Sequence, residues 1–414
     1  MKKLTRRASL AGVAVLAAPG ILRAAPTLEL TSWQAEEPGF GPWWKELIAA
    51  YNAANPGRPV VMTAMAYKDY LDQLTIRFAS NRGPALVELP SDAMGSFSSQ
   101  GWLEPLDARL KGSNISGKDW SPLQQDLTWD GKVQGVLLMG YAFMMYYNQA
   151  LLDGAGVSLP TSWDAWCEAV PKITQRDRGI FGLSAVTTEY PTIPLDFIRS
   201  IVWSGGALTK GTQYNLTDPK VVAAVERYRH VVGSNAPLGA NSTIIRQLFT
   251  DGKTGFLIDG PWVWALLERA PKEVRANLKM TKCPFSPPLG GASNSIHIAA
   301  GLDAATQDAA WSFIAFLARP EWQRRCTELA ASPTGGINTL TPELERSRPE
   351  LKLITEAVIG AQATAPLNQM LRSNYAEFNH ILQRTAVKVL STTVPVSDIL
   401  KETQRQLEQA VPLA

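Results

Sequence analysis

Phe249–Leu267, FTDGKTGFLIDGPWVWALL, is the stretch on which the reading of this chain turns. Gly260 and Pro261 stand before Trp262, and a Gly-Pro pair lets the backbone turn sharply, so the indole can face a cleft instead of a helix-packing face. There it would offer an apolar wall to a ligand. Trp262 and Trp264 fit equally well as core aromatics on the first turn of a helix running to Leu267. Large aromatics are mostly buried and are also favoured in ligand sites, so this stretch alone leaves both readings open.

Toward the N-terminus, Leu28–Trp33 reads as an apolar strand ending in Gln34, Glu36 and Glu37. A helix follows, with Trp44, Leu47, Ile48 and Tyr51 on one face at helical spacing. NPGRP at Asn55–Pro59 stops it, and Val60–Met65 forms a second strand. A helix over Tyr67–Ser80 then leads through NRGP into a strand at Ala85–Leu89. This alternation predicts parallel strands with crossover helices, an α/β layered fold whose ligands bind beyond the carboxyl ends of the strands. Those ends are Trp33–Glu37, Ala66–Asp69 and Glu88–Asp92.

Further on, Gln100–Leu110 reads as a surface turn closing a helix, and Trp129–Val136 (WDGKVQGV) as a hairpin about Asp130 and Gly131. Leu137–Tyr147 is a long apolar, aromatic strand suited to crossing between two domains. Thr161 or Ser162 caps a helix beginning near Trp163. Helices are expected near Pro194–Gly205 and Pro219–Gly233, and Ser295–Leu302 (SIHIAAGL) reads as a return strand. The remainder is mostly helical: Ala309–Leu317, Glu321–Ala331, Leu351–Ala361, Arg372–Leu390 and Val396–Ala410.

Residues 1–25 have the pattern of an export signal: Lys2, Lys3, Arg6 and Arg7, an apolar run from Leu10 to Leu22, then Ala24 and Ala25. That run is shorter than the roughly 20 residues needed to span a bilayer. TRRASL and Arg23 fit the twin-arginine route, although Ser9 replaces the usual large apolar residue. The segment carries five bases and no acid, so its removal takes the formal charge from +3 to −2. Neither nucleic acid nor an acidic membrane surface is then an evident partner. Removal also leaves a chain longer than one core usually covers, which predicts two domains. Cys167, Cys283 and Cys326 lack CxxC spacing and allow one disulfide or three free thiols.

Taken in order, GWLEPLD (101–107), WDGKVQGV (129–136), MYYNQALLDGAGVSLPTSWDAW (145–166), the opening stretch, AAWSFIAFLARPEWQ (309–323) and SPTGG (332–336) resemble the family 1 extracellular solute-binding proteins of bacterial sugar ABC importers, the maltose-binding-protein-like group. The resemblance covers nearly all of the chain beyond residue 25. It implies a type II periplasmic-binding-protein-like fold of two α/β lobes. Residues 26–140 with 297–330 would form one lobe, and 141–296 with 331–414 the other. Crossings are expected near Gly140–Phe143, Ser295–Ile298 and Ala331–Gly336, with hinge closure of the interlobe cleft around a ligand. It further implies a sugar stacked on Trp262, delivery to the transmembrane subunits of an ABC permease, no cofactor, a monomer, and a periplasmic location. VLLMGYAF at 136–143 departs from the family pattern, in which a proline commonly precedes the crossing, and this leaves the local cleft wall and the substrate class open.

Sugars have polar rims and apolar C–H faces, so their sites combine aromatic platforms with carboxylates and amides that accept hydroxyl hydrogen bonds. The strand ends of the first lobe supply Trp33, Gln34, Glu37, Tyr67, Asp69 and Asp92 as candidates; the second lobe and the crossings supply Tyr141, Trp203, Trp262 and His297. Each also has a plainer reading. Glu36 and Glu37 fit a solvated loop, Tyr67 and Asp69 the start of a helix, and Asp92 a helix N-terminus. Trp203 and Tyr141 fit core packing, and His297 a hydrogen-bonded structural histidine. A glycerol-linked or anionic sugar derivative is an alternative ligand, although no basic patch marks a purely anionic one. A secreted carbohydrate-active enzyme is the rival of another class. It would need two carboxylates flanking a scissile bond, and no pair is singled out by spacing. HExxH, GxSxG and a complete phosphate loop are absent.

Overall fold

In this computed structural model the described residues are 27–116, 118–358, 361–363 and 369–413; the expected signal at residues 1–25 lies outside them. The apolar runs of the N-terminal third form β1 (Leu28–Ser32), β2 (Val60–Ala64) and β3 (Leu86–Pro90), with β1 parallel to both of the others. The helices Phe40–Ala54 and Tyr70–Ala79 are their crossovers. Trp43, Trp44, Leu47 and Tyr51 bury one face of the first against Leu28 and Leu30; Tyr70, Leu74 and Phe78 bury the second on the opposite face of the sheet. Helices on both faces explain why β3 is buried almost throughout.

The hairpin appears as β4 (Thr128–Trp129) and β5 (Lys132–Val133), turned by Asp130 and Gly131 at φ 48° and 71°. The long apolar run is two strands in two different sheets: β6 (Val136–Ala142) and β7 (Met144–Asn148), separated only by Phe143. This is the first crossing between the lobes. The second lobe is built on β7, β8 (Phe181–Ser184), β11 (Thr254–Asp259) and β12 (Leu278–Lys282), in the order β12-β7-β11-β8. A two-stranded ribbon, β9 (Thr209–Lys210) and β10 (Gln213–Tyr214), lies outside that sheet. Ser162 caps the helix Trp163–Ile173 by accepting from the Ala165 N–H at 3.2 Å.

The return strand, β13 (Leu289–Ile298), starts six residues before the expected Ser295 and runs antiparallel to both β3 and β6 in the first sheet. The return crossing is therefore the segment 283–288, not Ser295–Ile298. Its glycines permit close strand contact: a Cβ on Gly290 would lie 2.1 Å from the Tyr141 carbonyl oxygen. The SPTGG turn stays on the first lobe, where Thr334 pairs with Met139 and Gly336 with Trp120. The helices Pro342–Ser347 and Pro349–Val358 then enter the second core through Leu344, Leu351 and Ile354. The chain comes back once more: β14 (Gln362–Ala363) pairs with β13, and Arg372 donates to the Asp126 carbonyl at 2.7 Å. The helices Tyr375–Ser391 and Val396–Ala410 finish the second lobe. Residues 331–414 are thus shared between lobes, because β14 and the helix Gln369–Ser373 find their partners on the first. The three cysteines are free, and among the described residues no helix is long and apolar enough to cross a membrane.

Candidate functional site

The carboxyl ends of β1, β2, β3 and β11 open onto a cleft of about 1000 Å³ between the two sheets, lined by residues of both lobes. On the first-lobe wall, the Trp33 ring stands edge-on to Tyr70 at 4.9 Å and leans on Tyr67 at 5.5 Å. Tyr70 is itself anchored, its hydroxyl lying 2.7 Å from the Glu88 carbonyl and 2.9 Å from that of Thr31. Beneath the wall, the fully buried Glu88 carboxyl hydrogen-bonds the Ser32 hydroxyl and accepts from Asn294 Nδ2 at 2.9 Å. Ser32 Oγ in turn accepts from the Gln34 N–H at 2.9 Å. One buried acid thereby places both Asn294 and Gln34 on the cleft. Burial pushes the Glu88 carboxyl up to about 8, against the lowering effect of the Ser32 bond.

On the opposite wall, β11 ends at Asp259. Its carboxylate accepts from the Gly260 N–H at 2.7 Å and from the Arg246 guanidinium at 2.8 and 3.2 Å. The buried Tyr146 hydroxyl lies 2.9 Å from the Gly260 carbonyl and 3.2 Å from that of Pro261, which pins the turn. The Trp262 indole folds back over Gly260, where a Cβ would come within 2.2 Å of the ring. The indole packs against the cores of both lobes and lies 5.7 Å from Tyr141. The two readings of the GPW stretch therefore both apply, since Trp262 borders the cleft and rests on core. Deeper, Arg199 pairs with Asp196, donates to the Ile258 carbonyl at 3.0 Å and covers the Phe143 ring at 4.3 Å.

The two walls meet electrostatically. Burial pushes the Glu37 carboxyl up to about 7, with Arg246 of the facing lobe opposing the shift and Asp259 adding to it. Asp92 is raised to about 6, first by burial, against the attraction of Arg372. The rings of Tyr67 and Tyr190 approach across the cleft to 6.3 Å.

Of the candidate residues, the structure brings Trp33, Gln34, Glu37, Tyr67, Asp92, Tyr141 and Trp262 to the cleft. Asp69, Trp203 and His297 lie elsewhere. Asp69 is an exposed residue that closes the turn Tyr67–Asp69 and leads into the helix Tyr70–Ala79. Trp203 is buried at the end of the helix Ile193–Trp203, packed on Phe285 at 4.9 Å and donating to the Pro287 carbonyl at 3.0 Å. His297 is wholly buried in β13, with its ring nitrogens 2.8 Å from the Gln134 carbonyl and 2.8 Å from Ser295 Oγ. Burial holds it down to about 4, so it is neutral at ordinary pH.

Tyr190, Arg246, Asp259 and Asn294 line the cleft without having been singled out. Tyr190 follows β8 and obeys the strand-end rule, but a four-residue strand containing Gly182 gave little signal. Asp259 stood in the opening motif, beside the tryptophan that drew the reading. Asn294 lies within a strand, and only its distant partner Glu88 marks it.

The bacterial extracellular solute-binding protein profile matches residues 34–324, about two thirds of the chain or more. A Brucella abortus (strain 2308) protein, named only as a binding protein, is 24% identical over 299 residues, covering 70% of this chain and 71% of its own. A Thermotoga lettingae ABC-transporter solute-binding protein solved with alpha-D-tagatose superposes with a TM-score of 0.81 at 19% identity, over 93% of this chain and 99% of that one. An Agrobacterium radiobacter K84 counterpart solved with ribitol gives 0.81 at 20% identity, over 93% and 98%. These likenesses bear out the two-lobed type II architecture. With a profile match over most of its length, the chain belongs to the bacterial extracellular solute-binding proteins, and its work is to bind a solute, not to transform one.

Proposed function

We propose that this protein is the periplasmic capture component of an ABC importer and takes a carbohydrate or a related polyol. The observation that carries this reading is the makeup of the cleft. Aromatic rings from both lobes, Trp33, Tyr67, Tyr141, Tyr190 and Trp262, share it with the hydrogen-bonding groups of Gln34, Glu37, Asp92 and Asn294. Rings suit the C–H faces of a sugar, and carboxylates and amides suit its hydroxyl rim. Alpha-D-tagatose and ribitol, the ligands of the two structural relatives, lend support as compounds of this class.

Closure follows from that placement. A ligand that touches Trp33 and Glu37 on one wall and Trp262 on the other makes its full set of contacts only when the lobes are together, and this difference in contact drives the population toward the closed form. The crossings at Phe143 and 283–288 are the natural hinges. The closed monomer then docks on paired transmembrane subunits, after export through the twin-arginine route.

The test is thermal unfolding of the purified protein against monosaccharides, oligosaccharides and polyols. A ligand at 100 times its Kd adds about 2.7 kcal/mol to stability, which raises the midpoint measurably. A shift with one class, the compound being recovered unaltered, is expected; chemical conversion of the compound would instead establish the enzyme alternative. Trp262→Ala should weaken that ligand by about tenfold or more, while the ligand-free variant still unfolds cooperatively though at lower stability.

A further inference from the structure

The charges of the cleft are unevenly partnered. On the second-lobe wall, Arg246 is held by Asp259 and Arg199 by Asp196, so both arginines are already matched. On the first-lobe wall, Glu37 and Asp92 border the cleft, and neither side-chain carboxyl makes a hydrogen bond or ion pair with another described residue. Arg372 attracts Asp92 only at longer range, its own donors being directed to the Asp126 and Thr128 carbonyls at 2.7 and 3.4 Å. At the rim, the exposed Lys68 and Arg269 are offset by the exposed Glu36 and Asp251. Arg246 attracts Glu37 only through space, its hydrogen bonds being made to Asp259, so the first-lobe wall is left with two carboxylates that have no directly paired base.

These two carboxylates act on the same place. Glu37, Tyr67 and Asp92 line the same cleft, and the charges of both acids add to burial in holding the Tyr67 phenol un-ionised. The same tyrosine joins a run of rings, with Trp33 at 5.5 Å and Tyr190 at 6.3 Å. A half-buried carboxylate without a directly paired counter-charge is costly, and a bound cation offsets that cost through both its charge and its hydrogen bonds. Aromatic faces attract the same cation.

We propose that the ligand carries an ammonium group, as an amino sugar or as a polyol bearing a quaternary ammonium substituent, with the cation seated by Glu37 and Asp92 against the Tyr67 and Tyr190 rings. The proposal rests on the carbohydrate and polyol reading above and sharpens it toward cationic members of that class. It also disfavours an anionic sugar derivative, which would meet the unpaired carboxylates and find both wall arginines engaged.

The experiment is calorimetric titration of the purified protein with matched pairs: glucosamine against glucose, and 1-amino-1-deoxysorbitol against sorbitol, with choline as a quaternary ammonium probe. The ammonium member of a pair should bind about tenfold or more tightly than its neutral partner, and the preference should shrink as salt is raised. Preference for the primary amines identifies an amino sugar; choline binding identifies the quaternary form. Glu37→Gln and Asp92→Asn should each weaken the ammonium member of a pair more than its neutral partner and so erode the preference, with ligand-free melting confirming that both variants fold. Equal or tighter binding of the neutral partners overturns the ammonium proposal and leaves the carbohydrate reading standing, as does a preference that survives both substitutions. Binding of choline with none of the polyhydroxy compounds overturns the carbohydrate reading while the cation site stands. Failure of every probe to bind overturns both.

Discussion

Replacing Gly260 by alanine tests whether Trp262 is held in position by the absence of a side chain beneath it. Gly260 does not have a positive φ, so the backbone itself accepts alanine. The obstacle is steric: the new Cβ would lie 2.2 Å from two indole atoms and 2.4 Å from a third, whereas ordinary contact begins at 3.4 Å. The ring must retreat by more than an ångström, with Tyr141 beside it at 5.7 Å and both cores behind it. Overpacking of this kind costs about 1–3 kcal/mol, and the stiffer unfolded chain returns about 0.4–1 kcal/mol, which leaves a net loss of about 0.5–2 kcal/mol. A displaced ring also forfeits contact with a bound ligand, which should weaken binding by about five- to tenfold. Urea unfolding and calorimetric titration of Gly260→Ala, Trp262→Ala and the double variant form the assay. Without the indole, the alanine methyl meets no ring, so Gly260→Ala should become neutral or mildly stabilising, a coupling of about 1 kcal/mol or more. Full stability and affinity in the single variant, or an undiminished cost in the double, would refute the reasoning.

Two buried titratable groups give opposite pH signatures. His297 takes up its proton at about 4 when folded and near 6.5 when unfolded, so the unfolded chain binds more protons between those values and stability falls as pH drops through that window; His297→Gln should flatten the acid limb of urea midpoint against pH. Glu88 is held near 8 when folded against 4.5 when unfolded, so the folded state binds more protons and stability falls as pH rises between them; Glu88→Gln should remove that slope while keeping the links to Ser32 and Asn294. Trp203→Phe removes the bond to the Pro287 carbonyl and leaves space in the second core. It should cost about 1–3 kcal/mol in unfolding without changing ligand affinity. A variant that unfolds normally but binds weakly would place Trp203 at the ligand after all.

Local spacing determined much of this protein. The alternation of apolar runs and helical faces over Leu28–Leu89 was legible as parallel strands with crossovers, because side-chain direction repeats every two residues in a strand and about every 3.6 in a helix. Asp130-Gly131 announced its hairpin, Ser162 its cap, and Gly260-Pro261 the turn that presents Trp262, since each depends only on neighbouring backbone geometry. The strand-end rule likewise brought Trp33, Glu37, Tyr67 and Asp92 to one wall. Tertiary structure decided what depends on distant partners. Leu289–Asn294 joins the return strand because its glycines let β13 approach β6, more than 140 residues earlier in the chain. That contact moved the return crossing to 283–288. His297 is structural because Gln134 and Ser295 satisfy its ring, and Trp203 is core because Phe285 and Pro287 close over it. Which charges stay unpaired was decided at the same level: Arg246 and Arg199 met Asp259 and Asp196, whereas Glu37 and Asp92 were left to the cleft. An isolated segment shows which groups a chain can offer, but whether a buried polar group is satisfied depends on what folding brings beside it.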